Sequence, residues 1–175
     1  MRSRIFKIGL CLSFVFMLCS CDKLRGAEYF IRRAESQIQL GNFKAATADL
    51  KTALLKDNNN VKAQLKLAEV AYRLGDYSAA QDYLSAIEKI GIINEESKVL
   101  SYRLMLAQGM YDAVIKAGES EKVISESMKL NFMAQALNGL GQDERAFDAF
   151  GRGLSIDPKN IDILNERSKA FIVKE

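Results

Sequence analysis

A four-residue motif recurs along this chain at an almost constant spacing. It consists of leucine, glycine, a variable residue and an aromatic residue, and it stands at residues 40–43 and 74–77. Related copies begin at Gln108 and Leu140, so that successive motif glycines are 34, 34 and 32 residues apart. A period of this length is typical of stacked helix pairs, each of which buries its apolar face against the next pair. The spacing therefore predicts an all-α chain.

Residue types at fixed offsets from the motif glycine support the repeat. With that glycine as position fifteen, positions eight and twenty, where two helices cross closely, carry alanine in three of the four copies. These alanines are Ala34, Ala68 and Ala134 at position eight and Ala46, Ala80 and Ala146 at position twenty. The pattern resembles the tetratricopeptide repeat, which implies a right-handed superhelical array of antiparallel helix pairs. An unrelated helical bundle with chance spacing is the alternative.

The repeat register divides the chain into predicted segments. They are four repeats at residues 27–60, 61–94, 95–126 and 127–160, and a closing or truncated helix at residues 161–175. In that last helix, Leu164 and Ser168 fall on packing positions four and eight. The third repeat is irregular, because Tyr102 replaces the small residue of position eight. Gly118 also stands where a large apolar residue belongs, so the second helix of this repeat is expected to end early.

The first twenty residues have the pattern of a cleaved signal peptide. Three basic residues precede an apolar run at residues 8–18, and no acidic residue accompanies them. A helix of that length spans roughly 16 Å, well short of the ~30 Å hydrocarbon core of a bilayer. A cleaved leader is therefore favoured over a short membrane anchor.

A cysteine motif follows the apolar run. Residues 18–21 read Leu-Cys-Ser-Cys, which resembles the lipobox of bacterial lipoproteins. The resemblance implies that Cys21 becomes the lipidated N-terminus, attached to a membrane, and that residues 21–26 form a short linker. In the lipoproteins of enteric bacteria an Asp after the lipidated Cys is an inner-membrane retention signal, so with Asp22 the resemblance implies the periplasmic face of the inner membrane over the outer membrane. A plain secretory signal with incidental cysteines is the alternative.

Composition excludes several classes of function. The formal charge of +3 belongs to the leader, so the remainder is neutral and has no charge that favours nucleic acid. Histidine is absent, and no cysteine follows Cys21. The commonest general base and the commonest metal ligand are therefore missing, and we expect no metal, no cofactor and no enzymatic activity.

The first helices of repeats two to four are predicted to form a binding groove. In arrays of stacked helix pairs these helices line the concave surface. The predicted groove residues are Leu65, Glu69, Tyr72, Arg73, Val99, Arg103, Asn131, Gln135 and Asn138. An apolar floor with charged rims suits an extended or helical peptide, so protein or peptide partners are expected. For Leu65 and Val99, ordinary packing between helices is the alternative interpretation.

A finer resemblance concerns the order of the motifs. Residues 50–60, 74–80 and 104–111 are similar to the N-terminal part of tetratricopeptide lipoproteins linked to exosortase (PEP-CTERM) sorting and exopolysaccharide export. This resemblance implies a membrane-anchored scaffold or adaptor in an envelope export or surface-polysaccharide system. A subunit of a pilus-assembly or outer-membrane-assembly machine is the alternative.

Overall fold

The computed structural model describes residues 25–172, with side-chain packing for residues 25–170. In this part of the chain the structure has nine helices and no strand, so the all-α prediction is confirmed. The helices are α1 Ala27–Gln39, α2 Phe43–Lys56, α3 Val61–Arg73, α4 Tyr77–Ile90, α5 Glu95–Ala107, α6 Tyr111–Ser120, α7 Glu126–Gly139, α8 Asp143–Ile156 and α9 Ile161–Ile172. None of these nine is both long and apolar enough to cross a bilayer.

Two sets of predictions are not tested by these helices. The signal peptide and the lipidated Cys21 lie outside the described residues. The predicted segment boundaries also stay predictions. The chain forms two compact units, which divide between Ala63 and Gln64, inside α3.

The recurring glycine ends the first helix of each pair. Gly41, Gly75, Gly109 and Gly141 all have a positive φ, between 71° and 76°. At Gly75 the backbone N–H donates to the Tyr72 carbonyl (3.0 Å), and the next N–H donates to the Ala71 carbonyl (2.9 Å). The same two bonds recur at the other three glycines. This is a Schellman turn, whose left-handed residue is most easily a glycine because it has no Cβ.

An Asp-x-x-Asn turn connects one pair to the next at two places. The Asn60 side chain donates to Asp57 Oδ2 (2.9 Å), and its Oδ1 accepts the Ala63 N–H (3.0 Å). Asn160 makes the equivalent bonds, donating to Asp157 (3.2 Å) and accepting from Ile163 (3.1 Å). Each asparagine therefore caps the N-terminus of the helix that follows.

The predicted close-crossing positions are buried. The alanines at positions eight and twenty are at most 1% exposed. Position eight of the third repeat holds Tyr102, which is also 1% exposed. Small side chains let helix backbones approach, so the repeat register is visible directly in the core.

In the unit that ends at Ala63, α1 and α2 form one helix pair. Phe30, Ile31 and Ala34 from α1 are buried, as is Leu50 from α2. Arg33 forms a bidentate pair with the largely buried Asp49, with Nε to Oδ2 at 2.7 Å and Nη2 to Oδ1 at 2.5 Å. The hydrogen bond to Asp49 raises the pKa of Arg33 above its ordinary value. This pairing satisfies the buried carboxylate of Asp49.

The third helix pair is irregular, as predicted. Its second helix, α6, has 10 residues, whereas α2, α4 and α8 have 14. Gly118 lies within α6 and is buried, and a Cβ at this position would meet the Met133 Cγ and Sδ atoms at 2.8 Å. The glycine therefore also allows close packing against α7, and the helix ends two residues later at Ser120.

Tyr102 holds the end of this short helix to α5 and α7. Its ring stacks on Phe132 with centroids 5.1 Å apart and planes 7° apart. Its hydroxyl lies 3.4 Å from Glu121 Oε2, and Glu121 also accepts the N–H groups of Lys122 and Val123. Burial, together with the Glu121 carboxylate, raises the pKa of Tyr102 to about 12.

The last helix, α9, uses a different face from the one predicted. Ile163 and Ala170 are buried against Phe150. Leu164 is 43% exposed and Ser168 is exposed, so their assignment to packing positions was wrong. Positions four and eight pack on the second helix of the same repeat, and the described residues contain no helix after α9.

Candidate binding groove

Two adjoining cavities lie in the unit that begins at Gln64. The first, called here the apolar cavity, has a volume of about 290 Å³ and is bounded by α3 and α5. Its lining residues are Leu65, Lys66, Glu69, Tyr72, Arg73, Glu96, Val99, Leu100 and Arg103. The second, called the amide cavity, has a volume of about 560 Å³. Its lining residues are Tyr72, Val99, Arg103, Met128, Asn131, Phe132, Gln135, Asp162, Asn165, Glu166, Ser168 and Lys169.

Three predicted groove residues line both cavities. Tyr72, Val99 and Arg103 form a common wall, so the two cavities adjoin, and together they are called the groove here. Successive turns of a helix place residues three and four apart on one face, which explains how α3 and α5 each contribute several side chains.

The other predicted residues divide between the cavities. Leu65, Glu69 and Arg73 line the apolar cavity, whereas Asn131 and Gln135 line the amide cavity. Asn138 lines neither of them. It lines a third space of about 270 Å³, which shares Gln135, Glu166 and Lys169 with the amide cavity.

The floor of the apolar cavity belongs partly to the core. Leu65 and Leu100 are each 6% exposed. Val99 is half-buried and packs on the cluster around Tyr102. Most of the Leu65 surface is therefore buried, as the alternative interpretation of packing between helices expects. Tyr72 is half-buried and its ring centroid lies 5.9 Å from that of Tyr77.

Ion pairs order one rim of the apolar cavity. Glu69 accepts a bond from Lys66 Nζ at 3.0 Å and another from Arg73 Nη2 at 2.6 Å. All three residues lie on α3, at the three- and four-residue spacings that favour such pairs. Arg103 on α5 is exposed and makes no hydrogen bond or ion pair with any residue among 25–172.

Most of the residues that line the amide cavity have polar side chains. Gln135 Nε2 donates to Asn131 Oδ1 at 3.3 Å, and Asn131 is only 5% exposed. On α9, Lys169 Nζ lies 2.6 Å from Glu166 Oε1, and this hydrogen bond raises the pKa of Lys169. Amide side chains both donate and accept, so this wall can bond the backbone of an extended chain.

The residues from α9 are absent from the sequence-based prediction. Asp162 lies three and four residues before Asn165 and Glu166, and Lys169 lies four and three residues after them, so the four share one face of the helix. That polar face is a signal visible in the sequence. It was missed because this helix was interpreted only as the end of the array.

Nothing in the described residues resembles a metal centre. Within residues 25–172 no three His, Cys, Asp or Glu side chains lie close enough together to hold a metal ion. The largest described change in the pKa of an acidic group, at Tyr102, concerns a ring that is 1% exposed. The raised pKa of Tyr102 therefore reflects its packing in the core and does not indicate chemistry at a surface.

Comparisons with known proteins agree with the helix pairs. Residues 37–91 match the family described as Tetratricopeptide repeat. The chain is also similar to DnaJ homolog subfamily C member 3 of Rattus norvegicus and of Homo sapiens, with 25% identity over 165 residues in each case. The match covers 82% of this chain and 32% of each relative, so the chain spans about a third of their length. These similarities support a tetratricopeptide-repeat protein, and such repeats imply a protein-interaction scaffold rather than a catalytic family.

Proposed function

We propose that this chain is a membrane-anchored scaffold that binds a segment of a partner protein in the groove formed by the apolar and amide cavities. The observation that carries the proposal is the common wall of Tyr72, Val99 and Arg103. An aromatic ring, an aliphatic side chain and an arginine that has no hydrogen-bond or ion-pair partner among residues 25–172 stand together there. Tyrosine and arginine are among the residues that most often dominate the binding energy of protein interfaces.

The polar content of the groove favours a peptide over a small apolar ligand. The floor near Leu65 and Leu100 is apolar, whereas Asn131, Gln135 and Asn165 offer amide groups nearby. Extended peptides need both kinds of surface, because their side chains seek pockets and their backbone needs hydrogen-bonding partners.

The anchor is proposed to be lipid attached at Cys21. The motif at residues 18–21 follows an apolar run too short to span a bilayer, and no later cysteine competes for modification. Each buried CH₂ of an acyl chain contributes about 0.8 kcal/mol, so two or three chains hold a protein firmly on a membrane. We place the repeats on the periplasmic face of the inner membrane, serving an envelope export or exosortase-linked surface-polysaccharide system.

Groove variants test partner binding. We expect Tyr72→Ala combined with Arg103→Glu to reduce capture of partner proteins from an envelope extract at least tenfold. Loss of one desolvated aromatic or arginine contact commonly costs about 2 kcal/mol, more than a tenfold change in affinity. Captured proteins would be quantified by mass spectrometry, with thermal melts of the same preparations.

A matched control keeps the result interpretable. Tyr83→Ala combined with Lys116→Glu makes the same aromatic truncation and the same reversal of a positive charge on α4 and α6, where neither residue lines a described cavity. Capture by this control should equal that of the wild type. Equal capture by the folded groove variant would refute the groove as the binding surface.

The anchor has its own test. In cells, Cys21→Ser should abolish incorporation of labelled palmitate and move the protein out of the membrane fraction. Density-gradient separation of the wild-type membranes then distinguishes inner from outer membrane. Equal labelling of the Cys21→Ser variant would rule out lipid attachment at this residue.

A further inference from the structure

The apolar cavity is bordered by five charged side chains, of which three form one ion-paired group with a net charge of +1. Lys66 and Arg73 both bind Glu69. Glu96 and Arg103 differ, because within residues 25–172 neither makes a hydrogen bond or an ion pair. Both side chains are exposed. Besides that ion-paired group, the rim therefore carries two charges with no partner in the described part of the chain, the negative charge of Glu96 and the positive charge of Arg103.

These two charges lie at opposite ends of the cavity. Glu96 and Arg103 are both on α5 and are seven residues apart, which places them on one face about 10 Å apart along the helix axis. Val99 and Leu100 lie between them, and Leu65 and Tyr72 face the same space from α3. The result is an apolar pocket with an acidic end and a basic end.

We propose that the segment bound here carries an apolar anchor side chain with a basic residue two positions to one side and an acidic residue two positions to the other. In an extended chain, alternate side chains point the same way, so the anchor and both charges would face the groove together. The two charged residues of the segment are four positions apart, which is about 13 Å in an extended chain. Long flexible side chains make up the small difference between this distance and the separation of Glu96 and Arg103 on α5. The inference rests on the proposed function, since it specifies the partner segment of that groove.

The size and charge of the cavity favour this occupant over others. A volume of about 290 Å³ is at the lower limit of ligand pockets, ~300–1,000 Å³, and so suits a single anchor side chain. A wholly acidic segment would be repelled by Glu96, and a wholly basic one by Arg103. A charged ligand of a single sign leaves one end of the cavity unmatched.

Peptides with a tryptophan anchor test the inference directly. The protein contains no tryptophan, so the fluorescence of the peptide reports burial of the anchor without background. The probes are capped peptides that differ only at the positions two before and two after the tryptophan. Named by the residues at these three positions, they are Lys–Trp–Glu, Glu–Trp–Lys, Glu–Trp–Glu and Lys–Trp–Lys. With the purified full chain, the tighter-binding of the two mixed peptides should bind about tenfold more tightly than either peptide of a single sign. This factor combines about threefold for the matched charge that is lost and about threefold for the repelled charge that replaces it.

Charge-reversal variants should change the preferred peptide. Arg103→Glu makes both ends of the cavity acidic, so the Lys–Trp–Lys peptide should become the tightest binder. Glu96→Arg makes both ends basic, so the Glu–Trp–Glu peptide should become the tightest. Lys116→Glu and Glu119→Arg on α6 reverse the same charges outside the described cavities and should keep the wild-type order.

Three results would overturn the inference. They are wild-type affinities that agree within about twofold for all four peptides, an unchanged order in both reversal variants, and no fluorescence shift with any peptide up to about 1 mM. Binding without charge preference would refute the inference alone, and the groove would still be a peptide site. If no peptide binds and the groove variant also captures partners normally, the proposed function fails as well.

Discussion

The Tyr102→Ala substitution distinguishes two expectations about stability. One is based on the repeat pattern, and the other is based on the packing around this residue. Alanine stands at the same repeat position in the other three repeats, as Ala34, Ala68 and Ala134. Alanine also has a higher helix propensity than tyrosine, by up to about 0.5 kcal/mol. On the pattern alone, Tyr102→Ala should therefore stabilise the third helix pair.

The packing around Tyr102 predicts the opposite. The side chain is 1% exposed and stacks on Phe132 with ring centroids 5.1 Å apart. Truncation of a buried aromatic residue to alanine costs about 3–5 kcal/mol, because a cavity remains and the ring pair is lost. After the gain in helix propensity, we expect a loss of about 3 kcal/mol in the free energy of unfolding. A loss of this size lowers the melting temperature of a chain this long by roughly 10 °C.

Urea and thermal unfolding, followed by the helical circular dichroism signal, measure this difference. Tyr102→Phe is the matched control, because it keeps the stacked ring and removes only a hydroxyl whose distance to Glu121 is a long 3.4 Å. We expect this control to lose less than about 1 kcal/mol. A Tyr102→Ala protein that melts at or above the wild-type temperature would refute the packing argument.

Two further predictions concern a titration and a helix cap. Because the pKa of Tyr102 is raised to about 12, while an unfolded tyrosine titrates near pH ~10, the neutral phenol stabilises the folded state fully below pH ~10. That contribution is lost between pH ~10 and pH ~12, so phenolate absorbance should show a late-titrating tyrosine that is missing from Tyr102→Phe. Asn160→Ala removes the side-chain oxygen that accepts the Ile163 N–H. It should lower the free energy of unfolding by about 1 kcal/mol in urea denaturation, and a Lys159→Ala control, on the exposed neighbour of the cap, should leave it within about 0.5 kcal/mol.

Predictions from local sequence succeeded where the physical cause is also local. The motif glycines end helices because a left-handed residue must follow, and this depends on neighbouring backbone groups only. Alanine at positions eight and twenty correctly predicted burial in three of the four repeats. The early end of α6 followed from residues within that helix and the shortened repeat.

The groove was predicted only in part, because its shape depends on helices that are distant in sequence. The repeat register indicated which faces of α3, α5 and α7 would share a surface, and Tyr72, Val99 and Arg103 do meet there. The register did not indicate that α9 supplies Glu166 and Lys169 to the same wall. Residue type did indicate packing between helices as the alternative for Leu65, which is 6% exposed, whereas Arg103 is exposed.

The sequence by itself determined the helix pairs, their turns and their close crossings, because periodicity, glycine and side-chain size act over a few residues. Only the tertiary structure decided where Tyr102 finds room, which face of α9 is buried and which charges beside the apolar cavity stay unpaired. Those outcomes depend on what the opposing helix presents: Phe132 against Tyr102, Phe150 against Ile163, and, in residues 25–172, no partner for Arg103. Side chains from separate repeats compete for the same space and the same counter-charges, and that competition is resolved only when the helices pack.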